Sequence, residues 1–377
     1  MRGLKQAVMP VMFGLILAFF WPTDVEAADI SMVEELEFEE IQRSVDHILG
    51  GGFRFKDTVL DLISGEQSLT MEGVLTAVLE QLKENWQMEK EILLSILVLG
   101  IAAALLSNFS NIFQNQQIAE VSFEITYMLL FLILLQVFSG AMEVAGEVLV
   151  NIQEFMTALI PAFFLAVTMA SGGTTALVFY QFLLSLIYLI QWLIQHGLMA
   201  LLQVHVILVF INHLTKEEYL SQMSEMVTRL AEWVMKSMLA LVIGFNTIQG
   251  ILHPAIDALK TTAFSRAAQM LPGLGNIAGG VTDVVLGSAV LIKNGVGVTA
   301  LVVILVMCLV PLTKLGILIF ILELAAALIQ PVSDKRMVGC VAGVGEGMKL
   351  LFRLVFTTAV LFLLTIVVVT VSVGGRG

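Results

Sequence analysis

Between Phe155 and Thr215 the chain runs for 61 residues without one Asp, Glu, Lys or Arg. As helix, at about 1.5 Å per residue, that is roughly 90 Å, enough for three crossings of a hydrocarbon core about 30 Å thick. No soluble domain has an interior able to hide such a run. The rest of the sequence agrees: 58% of its 377 residues are hydrophobic and 13% are charged, against about 25% charged in an ordinary soluble domain. Gly172-Gly173 and His196-Gly197 are the expected turns within the run. Three crossings that begin outside end inside, where Lys216, Arg229 and Lys236 appear, as the positive-inside rule requires.

The ends of the chain read differently. Arg2 and Lys5 precede an apolar run from Ala7 to Phe20, and Val25-Glu26-Ala27 supplies a small-x-small site. This is the pattern of a cleavable signal peptide over residues 1–27; the rival reading, an uncleaved first anchor, suffers from the shortness of the run. Residues 28–91 then carry 15 acids and 5 bases, which accounts for most of the net charge of −12. An acidic segment without a basic patch argues against nucleic-acid binding.

That acidic segment is patterned as helix. Ser31-x-x-Glu34 has the form of a capping box. Phe38, Ile41, Val45, Ile48 and Leu49 recur at helical spacing until Gly50-Gly51-Gly52, and Met71, Val74, Leu75, Val78, Leu79 and Leu82 form a second stripe. The pattern predicts a small extracytoplasmic helical segment, packed on itself or offering a face to a partner. Some 64 residues make a marginal core alone.

Further spans are expected at Ile92–Phe109, Val121–Ala141, Ser237–Leu252 and Leu354–Val373. Met142–Met156, with Glu143, Glu147 and Glu154, is an outside linker, and 216–236 is a cytoplasmic amphipathic connector. Between Leu274 and Gln330 lie three apolar segments, Leu274–Ile292, Val296–Leu312 with Pro311, and Leu315–Gln330 with Glu323; the last two are short for a crossing. Short or Gly/Pro-interrupted segments at membrane depth are tolerated where protein or water satisfies the backbone. If Leu274–Ile292 crosses, the bases after position 91 fall mostly inside, which favours that topology. The resulting fold is all-α: a polytopic transmembrane helix bundle of about 8–10 spans, with groups of spans at 92–215 and 237–377.

Ionisable residues at membrane depth carry the functional expectation, because they are costly in lipid unless they face protein or water. Asp283, Lys293, Lys314 and Glu323 are the candidates, as partners in intramembrane ion pairs or as the lining of an aqueous or proton pathway. Gly275, Gly279, Gly339, Gly343 and Gly347 recur at fourth-residue spacing, which lets helix backbones approach closely. Gly343-Val-Gly345-Glu-Gly347-Met-Lys349 lacks the spacing of a phosphate loop. Five histidines match no metal motif, and Cys308 and Cys340 are expected as unpaired thiols. These patterns predict no catalytic residue, no metal and no cofactor. A secondary transporter of a small solute or ion, with Asp283, Lys293 and Glu323 near its site, is the alternative to a structural or channel component.

At Leu291-Ile-Lys-Asn-Gly-Val-Gly297 and Ile329-Gln-Pro-Val-Ser-Asp-Lys-Arg336 the chain resembles the stage III sporulation protein AE family of endospore-forming Firmicutes. The order of features is similar too: signal peptide, acidic helical segment, polytopic region, then Leu271-Pro-Gly-Leu-Gly275 leading to Asp283. The resemblance implies a multi-pass protein of the mother-cell membrane around the forespore. It also implies partners, namely other stage III sporulation channel subunits and a forespore-side membrane protein, in a feeding-tube-like channel that supports late forespore gene expression. It supplies no catalytic residues.

Overall fold

Among the described residues the backbone is almost entirely helical, a form that suits a membrane, since lipid offers no partner to a free N–H or C=O. The computed structural model describes residues 36, 38–49, 53–64, 90–98, 100–102, 105, 116–171, 175–214, 219–268 and 275–372. Side-chain surroundings are described within these except at 49, 116–119, 170–171, 175–181, 183–184, 246, 249–288 and 371–372. The expected signal peptide, the Ser31–Glu34 capping box and the stripe from Met71 to Leu82 lie outside the described residues, as does the expected turn at Gly172-Gly173.

The helices are α1 (Glu39–Leu49), α2 (Phe55–Ser64), α3 (Gln116–Ser171), α4 (Thr175–Trp192), a π-helical segment (Leu193–Leu198), α5 (Met199–Leu214), α6 (Ser221–Ala268), α7 (Gly275–Ile329) and α8 (Lys335–Ser372). Residues 90–98 are helical as well. Among the described residues, four helical stretches are long and apolar enough to cross a membrane: Glu120–Met169, Ser185–Leu214, Ala289–Ile329 and Lys335–Thr370. Helix α8 lies at the centre, packed on α7, α6, α3 and α5.

Several boundaries expected from the sequence are not breaks. The linker Met142–Met156 continues the preceding span in one helix of 56 residues, α3. His196-Gly197 is not a turn: both residues sit in the π segment, which joins α4 directly to α5. The three apolar segments between Leu274 and Gln330 are one helix of 55 residues, α7, with Pro311 inside it. The physical reason is common to all three places. A lone Gly costs about 1 kcal/mol in a helix and Pro about 3, but an opened backbone in an apolar surrounding leaves several groups unpaired, each costing several kcal/mol. Continuing the helix is the cheaper solution. At about 1.5 Å per residue, α3 and α7 are each roughly 80 Å long.

The part of the acidic segment that forms α1 and α2 does not stand apart. Along α1, Ile41 and Val45 are fully buried, and on α2 so are Phe55 and Val59. Gln42 staples the two helices together: its Nε2 donates to the Phe53 carbonyl at 2.8 Å and its Oε1 accepts from the Phe55 N–H at 2.8 Å. The Phe55 ring then packs between Phe38 and Phe155 of α3, at 5.8 and 6.3 Å between centroids. Val59 and Ile63 rest on Gly295 of α7. The apolar stripe of α1 is thus covered by this chain's own bundle.

Candidate functional site

Helices α7 and α8 run antiparallel in a register that places Gly297 against Thr370 and Leu322 against Gly345. The register decides which of the candidate charges meet.

Lys293 is fully buried and its Nζ donates to the Thr370 carbonyl at 2.6 Å. Thr370 lies in the last turn of α8, where carbonyls have no partner within the helix. The lysine therefore serves as a cap on the end of α8, tied there from α7. Two residues on, Gly295 leaves room for Ile63 and Val59 of α2, and Gly297 for Thr370. The Lys-Asn-Gly-Val-Gly motif is thus a three-way junction of α2, α7 and α8.

Glu323 is not near Lys293. Its carboxylate accepts from Lys349 of α8 at 2.7 Å, and the same Nζ reaches Glu346 at 2.9 Å. One turn along α8, Arg353 pairs with Glu232 of α6 at 2.5 Å, and Glu232 also takes Lys236 at 3.0 Å. Lys236 first, and Arg353 with it, hold the Glu232 carboxyl below its ordinary range. All these pairs are partly exposed, so each contributes little to stability by itself.

By the same register, Lys314 of α7 stands level with Arg353. It lines a half-open cavity of about 520 Å³ together with Glu91, Glu143, Glu147, Gln136 and Ser95. Helical residues 90–98, α3 and α7 supply the walls. On α7 and α8 these charges, from Lys314 to Glu323 and from Glu346 to Arg353, thus fall within about three turns of each helix, a charged girdle between more apolar stretches. Asp283 is helical in α7, but its side chain lies outside what the structure describes, as do the surroundings of Gly275 and Gly279.

Gly339, Gly343 and Gly347 line the face of α8 that meets α5. A Cβ at Gly339 would collide with the His213 ring, one at Gly343 with Val209, and one at Gly347 with Val206. His213 Nδ1 is 2.8 Å from the Val209 carbonyl, and His205 Nδ1 is 3.2 Å from both Ser224 and Thr228 of α6. His205 is buried, and its Nε2 has no hydrogen-bond partner. Both side-chain atoms of buried Gln191 are likewise unpartnered. Cys308 and Cys340 are buried free thiols. Among the described residues, no group of three or more His, Cys, Asp or Glu side chains is placed to hold a metal.

The second motif, Ile329 to Arg336, is the α7–α8 turn. Asp334 accepts from the Arg336 N–H at 2.8 Å, capping α8. The Arg336 guanidinium lies 3.5 Å over the Phe123 ring of α3, and Tyr127, one turn on, donates to the Phe210 carbonyl of α5 at 2.8 Å. The sequence does not show Gln42, Glu232, Lys349, Arg353 and Tyr127 as tertiary contacts, because each has a partner far along the chain or on another helix. Only the short-range pairs Gln42–Asp46, Glu232–Lys236 and Glu346–Lys349 follow from helical spacing.

The profile of the family described as stage III sporulation protein AE matches residues 53–373. The matched region begins beside α2 and extends one residue past α8. Stage III sporulation protein AE of Bacillus subtilis (strain 168) is 25% identical over 316 residues, covering 83% of this chain and 79% of that protein. No solved structure matches.

Proposed function

This chain belongs to the stage III sporulation protein AE family, and from that membership we propose that it is a non-enzymatic, multi-pass membrane component of the mother cell–forespore channel complex. In this reading it sits in the mother-cell membrane around the forespore, with residues 28–91 on the extracytoplasmic side. There they meet ring-forming channel subunits and, through them, the forespore-side membrane partner. The reading is carried by the family match over residues 53–373.

The packing of α1 and α2 adds a mechanical rationale. Because they are fixed to α3 and α7 through Phe55, Val59 and Ile63, a partner that gripped their outer face would hold the entire bundle. The outer face offers Glu39, Arg43, Asp46 and His47, all exposed. The bundle then acts as platform or conduit. The test is purification from sporulating cells in mild detergent: the other channel subunits should come with it, and their absence would defeat the proposal.

A transporter of a small solute or ion has one observation in its favour, the half-open cavity beside Lys314. It has lost another. Broken helices of the kind that form transporter sites are not found in α7, which is continuous. Neutralising Asp283 and Glu323 should abolish solute flux in vesicles if that reading holds; unchanged flux removes both residues from it.

A further inference from the structure

Beside the charged cavity at Lys314 lies a second, apolar one. It measures about 470 Å³ and is lined by Leu94, Ser95, Val98, Leu129, Leu132 and Ile133. The two share Ser95 and Ile133, so together they make one cleft between helical residues 90–98 and α3, with α7 behind the polar half. Its apolar walls open outward: Leu94, Val98, Leu129 and Leu132 are all about half exposed or more. Its polar half lies in the charged girdle.

An apolar groove running into a pocket of mixed charge is complementary to an amphiphile. The headgroup pocket carries three carboxylates, Glu91, Glu143 and Glu147, and one ammonium, Lys314. Three acids against one base disfavour an anionic headgroup. They suit a zwitterion whose own ammonium meets the carboxylates while its phosphate meets the lysine, since charge-assisted hydrogen bonds are the strong ones. Each half falls in the size range of small-molecule pockets.

We infer that this cleft is a binding site for a single aminophospholipid, its acyl chain against Leu129 and Leu132 and its primary ammonium on Glu143 and Glu147. The inference stands independently of the channel reading.

The test uses the full chain in detergent, offered equal amounts of phosphatidylethanolamine, phosphatidylcholine and phosphatidylglycerol, with retained lipid read by native mass spectrometry. Phosphatidylethanolamine should be retained over both others, because phosphatidylcholine has no N–H to donate and phosphatidylglycerol has no cation. Glu143→Gln with Glu147→Gln should remove that preference, lowering phosphatidylethanolamine affinity about tenfold. Lys314→Met should weaken all three phosphodiesters alike. Leu132→Trp, at an exposed groove position that folding does not depend on, should reduce all three with unchanged thermal unfolding. Equal retention of the three lipids, preference for phosphatidylglycerol, or an undiminished preference in the double variant would overturn the site.

Discussion

Single residues set how closely the helices approach. Gly343 of α8 and Gly316 of α7 are both helical glycines, yet their surroundings are opposite: a Cβ at Gly343 meets Val209, whereas a Cβ at Gly316 meets nothing within 4 Å. Val209 is stiff at χ1 and cannot swing aside. Gly343→Ala is therefore expected to lower stability by about 1–3 kcal/mol, and Gly316→Ala to leave it unchanged or raise it by up to about 1 kcal/mol. Thermal unfolding in detergent compares the two directly. A pH dependence follows from Glu232, held below the ordinary carboxylate range by Lys236 and Arg353. A depressed folded-state pKa gives stabilisation that is present above the unfolded value and lost as pH falls through the folded one. Acidification should thus weaken the α6–α8 contact in the wild type, and Glu232→Gln should abolish that part of the dependence. Much at this scale was legible in sequence as residue type but not as partnership. Lys293, Lys314 and Glu323 stood out as charges in apolar surroundings, yet one caps a helix end, one lines a cavity and one pairs with Lys349. Partnership depends on register between helices, and register is a tertiary property.

At the scale of elements, helical character was plain from apolar content and spacing, whereas the places where helices end were not. Gly and Pro are the usual punctuation in soluble proteins because water can take over a freed backbone group; here that exchange is missing. Hence Pro161 and Pro311 sit inside α3 and α7, and Gly197 inside the π segment. A π segment carries an extra residue relative to an α-helix and shifts the phase of everything after it. Deleting Gly197 should remove the extra residue and close the segment to α-helix with the phase of α5 kept, so that His205 still meets Ser224 and Thr228 and Val209 still meets Gly343. Gly197→Ala, whose added Cβ makes only ordinary contact with Leu193 at 3.4 Å, should keep the π segment. Both variants are expected to give folded protein in detergent at the wild-type yield; loss of folded protein in the deletion alone would mean that the wide π turn itself is needed.

For the whole molecule, the sequence announced a membrane bundle and an acidic helical segment ahead of it, but not that α1 and α2 are part of the bundle. The apolar stripe Phe38, Ile41 and Val45 reports that something covers it, and periodicity alone cannot say whether the cover is a partner or the same chain. Phe55 is the keystone of that contact, fully buried between Phe38 and Phe155. Phe55→Ala should cost about 3–5 kcal/mol at this joint. It should make the segment around α1 and α2 sensitive to protease while the apolar helices stay protected. If docking of these helices matters to the assembly, the same variant should lose channel partners in pull-downs even though it reaches the membrane. Membership of the sporulation channel is best probed in the spore-forming host. The gene would be deleted, and a late forespore reporter and forespore size followed after engulfment. Engulfment should complete while the reporter stays silent and the forespore shrinks, with the wild-type gene restoring both; a normal reporter and normal forespores in the deletion strain would rule out a role in the channel.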